Sequence, residues 1–184
     1  MNFITTPFPG LYLIEPKVFG DDRGYFFESF RQEEFEKHIG KIEFVQDNES
    51  KSGYGVLRGL HFQRAPYTQA KLVRCITGNI LDVVVDLRKE STTFKKSYAI
   101  ELSDRNKLQL FIPRGFAHGF VVLSKEAIFS YKVDNLYVPE SEGGIRYNDP
   151  ELSIDWKLQE EELKLSGKDL ILPYMSDAGI LFSI

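Results

Sequence analysis

Cysteine is nearly absent from this sequence, because only Cys75 among 184 residues carries a thiol. An intrachain disulfide is therefore impossible, and so is a CxxC metal or redox motif. A chain without disulfides is typical of a reducing compartment, so we expect a cytoplasmic protein.

Signals for membrane insertion and export are also lacking. No apolar run approaches the ~20 residues that a helix needs to cross a bilayer. The first ten residues contain no basic cluster, and Pro7 and Pro9 fall where a signal peptide would carry its apolar segment. We therefore expect a soluble protein with no membrane partner.

Positive charge is not in excess. The 23 Lys and Arg residues are outnumbered by 27 Asp and Glu, which gives a formal net charge of -4 and a pI near 5.5. Such a molecule repels a phosphate backbone, which disfavours nucleic acid as a partner. A small anionic ligand is compatible with this balance, because a pocket can be locally basic inside an acidic protein.

The chain is rich in apolar and aromatic residues, at 42% and 14% of its length. Aromatic side chains are favoured on half-buried pleated surfaces, and a chain of this size buries one core without splitting. No repeat, low-complexity tract or linker divides it. We expect residues 1–184 to form a single, β-rich domain.

Short alternating apolar runs, separated by Gly, Asn, Asp or Pro, predict about ten antiparallel strands. In the clearest run, residues 79–87, apolar residues at odd positions alternate with Asp82, Val84 and Asp86. The predicted strands are residues 11–14, 25–30, 43–48, 55–63, 70–76, 79–87, 97–102, 108–112, 119–123 and 127–133.

Helical signals are few. Residues 32–38 and 159–164 could form short helices, and neither is long enough for a crossover between parallel strands. We therefore expect an all-β fold, a sandwich or jelly-roll β-barrel with a few short peripheral helices.

Only three histidines occur, so each can be considered singly. His38 ends the charged helical segment and is expected at the surface. In residues 55–63, strand alternation places His61 on the face of Gln63 and opposite Arg58. His118 closes a turn that leads into the strand at residue 119. From the residues alone, His61 and His118 could equally be core histidines whose ring nitrogens are hydrogen-bonded to neighbouring residues.

These two histidine segments resemble the paired signatures of the cupin superfamily, GxxxxxHxH and PxGxxH. Gln63 stands where a metal-binding cupin has its second histidine, so only His61 and His118 match imidazole ligands. Two histidines make a poor metal site. The chain also lacks a glycine-rich dinucleotide fingerprint. We expect a cupin-type barrel without a metal or nucleotide cofactor.

Within that superfamily the sequence is similar, nearly end to end, to the dTDP-4-dehydrorhamnose 3,5-epimerases. Nine segments in order carry the resemblance: 22–28 with DRG at its start, 46–50 (QDNES), 56–63 (VLRGLHFQ), 69–74 (QAKLVR), 112–120 (IPRGFAHGF), 131–132 (YK), 139–145 (PESEGGI), 148–150 (NDP) and 166–169 (SGKD).

The resemblance implies a nucleotide-sugar substrate and inversion of the two carbons beside a ketone. That chemistry needs a base, a donor for the enolate oxygen, and an acid on the opposite face. By resemblance His61 is the base, Asp169 its partner carboxylate and Tyr131 the acid, while Lys71 and His118 suit the enolate oxygen. The phenol of Tyr131 suits the role of acid only if a local positive field lowers its ordinary pKa of ~10.

The resemblance also implies residues that hold the nucleotide. Arg23, Arg58 and Lys168 match contacts to the diphosphate, and Tyr137 matches the residue that stacks on thymine. Polar contacts to substrate match Glu28, Gln46, Asp47, Asn48 and Glu142. From the residues alone, Lys168 and Glu142 could equally be ordinary surface charges.

Two other functions stay open at this point. One is a sister enzyme that acts at C3 or C5 only, or a 3,4-ketoisomerase of a related sugar. The other is a non-catalytic sugar-binding cupin, against which the presence of both His61 and Tyr131 argues. Members of the family are homodimers, and residues 1–14 could lie across a partner's sheet.

Overall fold

Two antiparallel sheets and a separate hairpin contain the strands of this protein. The computed structural model describes residues 1–179 and 182. The larger sheet has six strands, in the spatial order β1 (Asn2–Thr5), β2 (Tyr12–Glu15), β10 (Gln109–Ile112), β7 (Lys71–Thr77), β12 (Glu126–Val133) and β5 (Gln46–Gly53).

The smaller sheet has five strands, in the order β13 (Glu142–Gly144), β6 (Leu57–Gln63), β11 (Phe116–Val122), β8 (Asn79–Asp86) and β9 (Ser97–Ser103). The hairpin pairs β3 (Val18–Asp21) with β4 (Gly24–Phe27). The α-helices are α1 (Gln32–Ile39) and α2 (Gly167–Leu170), and 3-10 turns occupy Pro139–Ser141 and Glu160–Glu162. Within the described part of the chain, no helix has the length and apolar character to cross a membrane.

The inner faces of the two sheets pack on one another. Val73 of β7 and Phe129 of β12 contact a cluster that includes Val84 of β8 and Phe120 of β11. The rings of Phe120 and Phe129 lie 4.4 Å apart between centroids. Burying apolar faces of two antiparallel sheets against each other is the arrangement that the alternating pattern predicts, and the all-β prediction is confirmed.

Strand β8 is buried on both faces. Its odd-numbered apolar residues pack outward against the C-terminal segment around Trp156, while Val84 faces the inner core. The alternation predicted for this strand is confirmed. Because the smaller sheet is covered on both sides, the two acidic residues on the inner face, Asp82 and Asp86, are also fully buried.

Several boundaries differ from those predicted. Strand β11 begins at Phe116, so His118 lies inside the strand and the prediction of a turn at that position is wrong. Strand β5 continues to Gly53, beyond the predicted end at residue 48, although none of its residues has an apolar side chain. The alternation method overlooks such a strand because its inward side chains are polar. It also missed β1, β3 and β13, of which the last consists of Glu and two glycines.

Candidate active site

A cavity of about 640 Å³ opens between the two sheets. Strands β5, β6, β7, β11 and β12 and the segment leading into α2 supply its walls. The structure brings eight of the predicted site residues to this cavity: Asn48, Arg58, His61, Lys71, His118, Tyr131, Lys168 and Asp169.

A β-bulge decides which side chains of β6 reach the cavity. His61 pairs with His118, but Arg58 pairs with Phe120, so three steps along β6 match two along β11. An extra residue reverses the alternation of faces. Arg58 and His61 therefore both line the cavity, and the predicted placement of Arg58 on the opposite face is wrong.

Glycines allow the two backbones to meet at this bulge. A Cβ on Gly119 would lie 2.7 Å from the carbonyl oxygen of Arg58, and a Cβ on Gly59 would lie 2.6 Å from the Cα of Gly119. Gly59 also has a φ of +124°, which L-residues with side chains rarely adopt. Glycine is thus required at both positions for the strand geometry that presents Arg58.

His61 and Asp169 form a hydrogen-bonded pair, although they are 108 positions apart in the sequence. Nε2 of His61 lies 2.6 Å from Oδ1 of Asp169, whose side chain is almost fully buried. A carboxylate only accepts hydrogen bonds, so Nε2 carries the hydrogen and Nδ1 is left with a lone pair. This pairing makes Nδ1 the basic atom of His61.

Ser166 holds Asp169 in place, a role that the sequence reasoning missed. Its hydroxyl donates to Oδ2 of Asp169 at 2.8 Å and accepts from the Asp169 backbone N–H at 3.2 Å, as an N-cap does. Burial raises the pKa of Asp169, but the hydrogen bonds from His61 and Ser166 outweigh it and hold that pKa below its ordinary value. The carboxylate therefore stays ionised beside the imidazole.

Lys71 projects from β7 into the same cavity. Removal from water disfavours the ammonium and lowers its pKa to about 8, against the opposing influence of Asp82 and Glu142. Its Nζ lies 6.0 Å from the ring centroid of Tyr131 on the neighbouring strand. The cavity thus holds a cation that neutralises readily just above neutral pH.

His118 forms a second histidine–carboxylate pair, with Nε2 lying 2.9 Å from Oδ2 of Asp82. Burial lowers the pKa of His118, and the nearby Lys71 lowers it further, although Asp82 opposes both. A neutral His118 that donates from Nε2 to a carboxylate has only an acceptor at Nδ1. Asp82 is the second participant that the sequence reasoning missed, and its only signal was an acidic residue on the same face of β8 as the apolar Val84.

Tyr131 lies on β12 in the wall of the larger sheet. Burial raises the pKa of its phenol, and the charge of Glu142 adds to this, while Arg58 opposes it. The lowering of this pKa by a positive field, which the sequence reasoning set as a condition for the acid role, is therefore not found. The physical reason is that desolvation of the phenolate outweighs the opposing charge of Arg58.

Glu142 is linked to four other predicted substrate contacts at the edge of the cavity, to two of them directly. It pairs with Lys168 and accepts a hydrogen bond from the Tyr137 hydroxyl at 2.8 Å. The side-chain oxygen of Gln46 accepts a hydrogen bond from the Tyr137 backbone N–H at 3.3 Å, and its side-chain nitrogen donates one to Oδ1 of Asn48 at 2.8 Å. This group lies beside the wall that carries Asn48 and Lys168, and the Tyr137 ring is half exposed.

Three predicted contacts lie away from the cavity. Arg23 is on the β3–β4 hairpin, pairs with Asp21 and has a side chain 89% exposed. Glu28 pairs with Arg31 at 2.7 Å, and Asp47 points outward to Lys132 at 2.7 Å. Within a single protomer, these three residues therefore do not lie in the cavity that contains His61.

Gln63, at the position of a cupin metal ligand, is fully occupied by the protein. Its amide nitrogen donates to the carbonyls of Tyr67 and Leu136, and its oxygen accepts from the Val138 backbone N–H. Through these hydrogen bonds, the Gln63 side chain anchors the segment that carries Tyr137. Across residues 1–179 and 182, no cluster of three or more His, Cys, Asp or Glu side chains could hold a metal ion.

The chain is similar to known epimerases over nearly its whole length. The family model described as dTDP-4-dehydrorhamnose 3,5-epimerase matches residues 5–177. A dTDP-4-dehydrorhamnose 3,5-epimerase of Shigella flexneri is 55% identical over 171 residues, which is 92% of this chain and 93% of that protein.

Solved structures show the same similarity in three dimensions. The dTDP-4-dehydrorhamnose 3,5-epimerase of Elizabethkingia anophelis has a TM-score of 0.94 and 55% identity, covering 98% of this chain and 99% of that one. The dTDP-6-deoxy-D-glucose-3,5-epimerase of Legionella pneumophila, solved in complex with dTDP-4-keto-L-rhamnose, has a TM-score of 0.93 and 48% identity, covering 100% and 98%.

Proposed function

The chain belongs to the dTDP-4-dehydrorhamnose 3,5-epimerase family, and we propose that His61, Lys71 and Tyr131 carry out this reaction between its two sheets. It is an isomerase that inverts C3 and C5 of dTDP-4-dehydro-6-deoxy-D-glucose to give dTDP-4-dehydro-L-rhamnose, on a cupin-type barrel. The observation that carries the assignment of roles is the placement of His61 on the smaller sheet and of Lys71 and Tyr131 on the larger sheet facing it.

The first step removes a proton from a carbon next to the C4 ketone. Nδ1 of His61 takes the proton, and the electrons of the broken C–H bond move onto the C4 oxygen to form an enolate. Asp169, 2.6 Å from Nε2, stabilises the imidazolium that results. Because C3 and C5 both adjoin C4, one such base serves either carbon.

Lys71 is the group best suited to the enolate oxygen. An ammonium in a desolvated cavity stabilises a charge that exists only during the reaction. His118 is neutral and its Nε2–H is committed to Asp82, so it suits a substrate hydroxyl as an acceptor better than an oxyanion. We therefore keep His118 as a substrate contact and give the oxyanion to Lys71.

Tyr131 returns a proton from the opposite wall, which inverts the carbon. A raised pKa keeps the phenol protonated until the enolate forms. The phenol remains a much stronger acid than the carbon that it reprotonates, so transfer is downhill.

The heavy-water reaction tests this function directly. We expect enzyme treated with EDTA to convert dTDP-4-dehydro-6-deoxy-D-glucose with deuterium uptake at both C3 and C5, measured by proton NMR. Uptake at one carbon alone would assign a sister activity, and a requirement for an added divalent ion would contradict a metal-independent mechanism.

Arg58 and Lys168 line the cavity and are proposed to bind the diphosphate, with Tyr137 stacked on thymine. Stacking on a base is worth ~1–3 kcal/mol, so Tyr137→Ala should weaken dTDP binding roughly 5- to 150-fold in calorimetry. Tyr137→Phe keeps the ring and should bind nearly as wild type.

Tyr54→Ala is the matched control, because Tyr54 is also exposed and also donates to a glutamate, Glu162, at 2.7 Å. It should leave dTDP affinity unchanged. An unchanged affinity in Tyr137→Ala would remove the stacking role.

We further propose that the enzyme is a homodimer. The β3–β4 hairpin carries large apolar side chains that a monomer leaves in contact with water: Tyr25 is 59% exposed and Phe26 is 69% exposed. Arg23 and Glu28 lie on or next to it and away from their own cavity. A partner that covers this hairpin buries the apolar surface and offers these residues a second cavity.

A cytoplasmic location and a single cupin-type domain over residues 1–184 complete the proposal. The sole cysteine is a buried free thiol, in keeping with a reducing compartment.

A further inference from the structure

Asp82 is a fully buried carboxylate with one oxygen left over. It lies on β8 and faces the inner core beside Val84. Its Oδ2 accepts from His118, whereas its Oδ1 has no hydrogen-bond partner among the residues that the structure describes. An unsatisfied buried carboxylate oxygen destabilises a fold, so a purely structural role does not account for an acid at this position.

The charge of Asp82 lies next to the cavity that holds Lys71, because its partner His118 lines the same cavity. Burial lowers the pKa of Lys71 to about 8, and Asp82 is the larger of two carboxylate influences that oppose the decrease. The smaller influence comes from Glu142, which is already paired with Lys168.

The other titratable groups that share the cavity with Lys71 do not replace this carboxylate. His61 and His118 carry no negative charge, and Tyr131 is kept protonated by burial. Glu49 also lines the cavity, but it is exposed to solvent and is not among the carboxylates that raise the pKa of Lys71. Asp169 is committed to His61 and Ser166. Asp82, whose one partner is a neutral imidazole, is therefore the principal countercharge of the Lys71 ammonium.

We propose that Asp82 is a positioning residue of the epimerisation, which holds His118 through Oδ2 and through the charge of its free Oδ1 keeps Lys71 as an ammonium for the enolate oxygen. This inference rests on the proposed function of the cavity. It explains why Asp82, unlike the other acid on the inner face of this strand, Asp86, lies buried without an arginine partner.

The test is the pH profile of kcat in Asp82→Asn. The amide still accepts from His118 but carries no charge, so the pKa of Lys71 falls further below about 8. We expect the alkaline limb of the profile to move down by about one pH unit or more, with kcat at pH 8 reduced about fivefold or more and KM little changed.

Two further measurements separate this role from a structural one. His118→Asn retains the Asp82 carboxylate, so its alkaline limb should stay at the wild-type position even if its kcat falls. Thermal melting of Asp82→Asn should not fall below wild type, because a neutral amide replaces a partly unsatisfied buried charge.

An unshifted alkaline limb in Asp82→Asn, or loss of the folded protein, would overturn the role of Asp82. Both results leave the proposed function intact as long as the wild-type enzyme exchanges deuterium at C3 and C5. Absence of that exchange in the wild type would instead refute the function itself.

Discussion

Replacing His61 with Asn should abolish inversion and solvent exchange together. Without Nδ1 no group takes the α-proton, so neither carbon forms the enolate from which both outcomes arise. We expect deuterium uptake at C3 and C5 to fall by roughly 10²- to 10⁴-fold, which is what a positioned general base supplies. Proton NMR in heavy water with dTDP-4-dehydro-6-deoxy-D-glucose measures both rates in one experiment.

His38→Asn provides the matched control. His38 is exposed at the end of α1 and stacks on Phe3, with ring centroids 4.3 Å apart, away from the cavity. This variant should retain wild-type exchange. Both variants should melt normally, because neither replacement opens a large cavity. Exchange at near wild-type rate in His61→Asn would mean that another group is the base.

Replacing Tyr131 with Phe should separate exchange from inversion. His61 and Lys71 remain, so the C5 proton still leaves, and His61 returns deuterium to the same face. We expect exchange at C5 to persist while inversion at C5 falls by about 10²-fold or more. Retained inversion would show that Tyr131 is not the acid, and loss of all exchange would show that it is needed to form the enolate.

Tyr98→Phe controls for loss of a buried phenol. Burial also raises the pKa of Tyr98, but this residue lies on β9 and packs against Phe8, with centroids 5.7 Å apart. Inversion should be unaffected in this variant. A similar loss of inversion in both variants would indicate a general effect of removing a buried hydroxyl.

The sequence pattern predicted the fold well where a strand alternates in hydropathy. The faces of β8 could be assigned because burial acts on every second residue. Strand β5 was only partly found because its inward residues, Asn48 and Ser50 among them, line a polar cavity. Helix α2 was missed because four residues are too few for a helical period.

Site geometry was harder to predict than site membership. The resemblance selected His61 and Asp169, but only the folded chain shows the contact between residues 108 positions apart. The environment of Tyr131 depends on how desolvation balances against Arg58 and Glu142, which composition does not reveal. The position of Arg58 depends on a single extra residue in β6.

That extra residue sets a condition for grafting this site onto another jelly-roll scaffold. In a regular host strand, side chains three positions apart point to opposite faces, so copies of Arg58 and His61 would be divided between the interior and the solvent. The graft must carry the bulge with glycines at the positions of Gly59 and Gly119, because any Cβ there meets backbone at under 3 Å. Scaffold selection should therefore begin from strands that already contain such a bulge, and only then transfer the side chains.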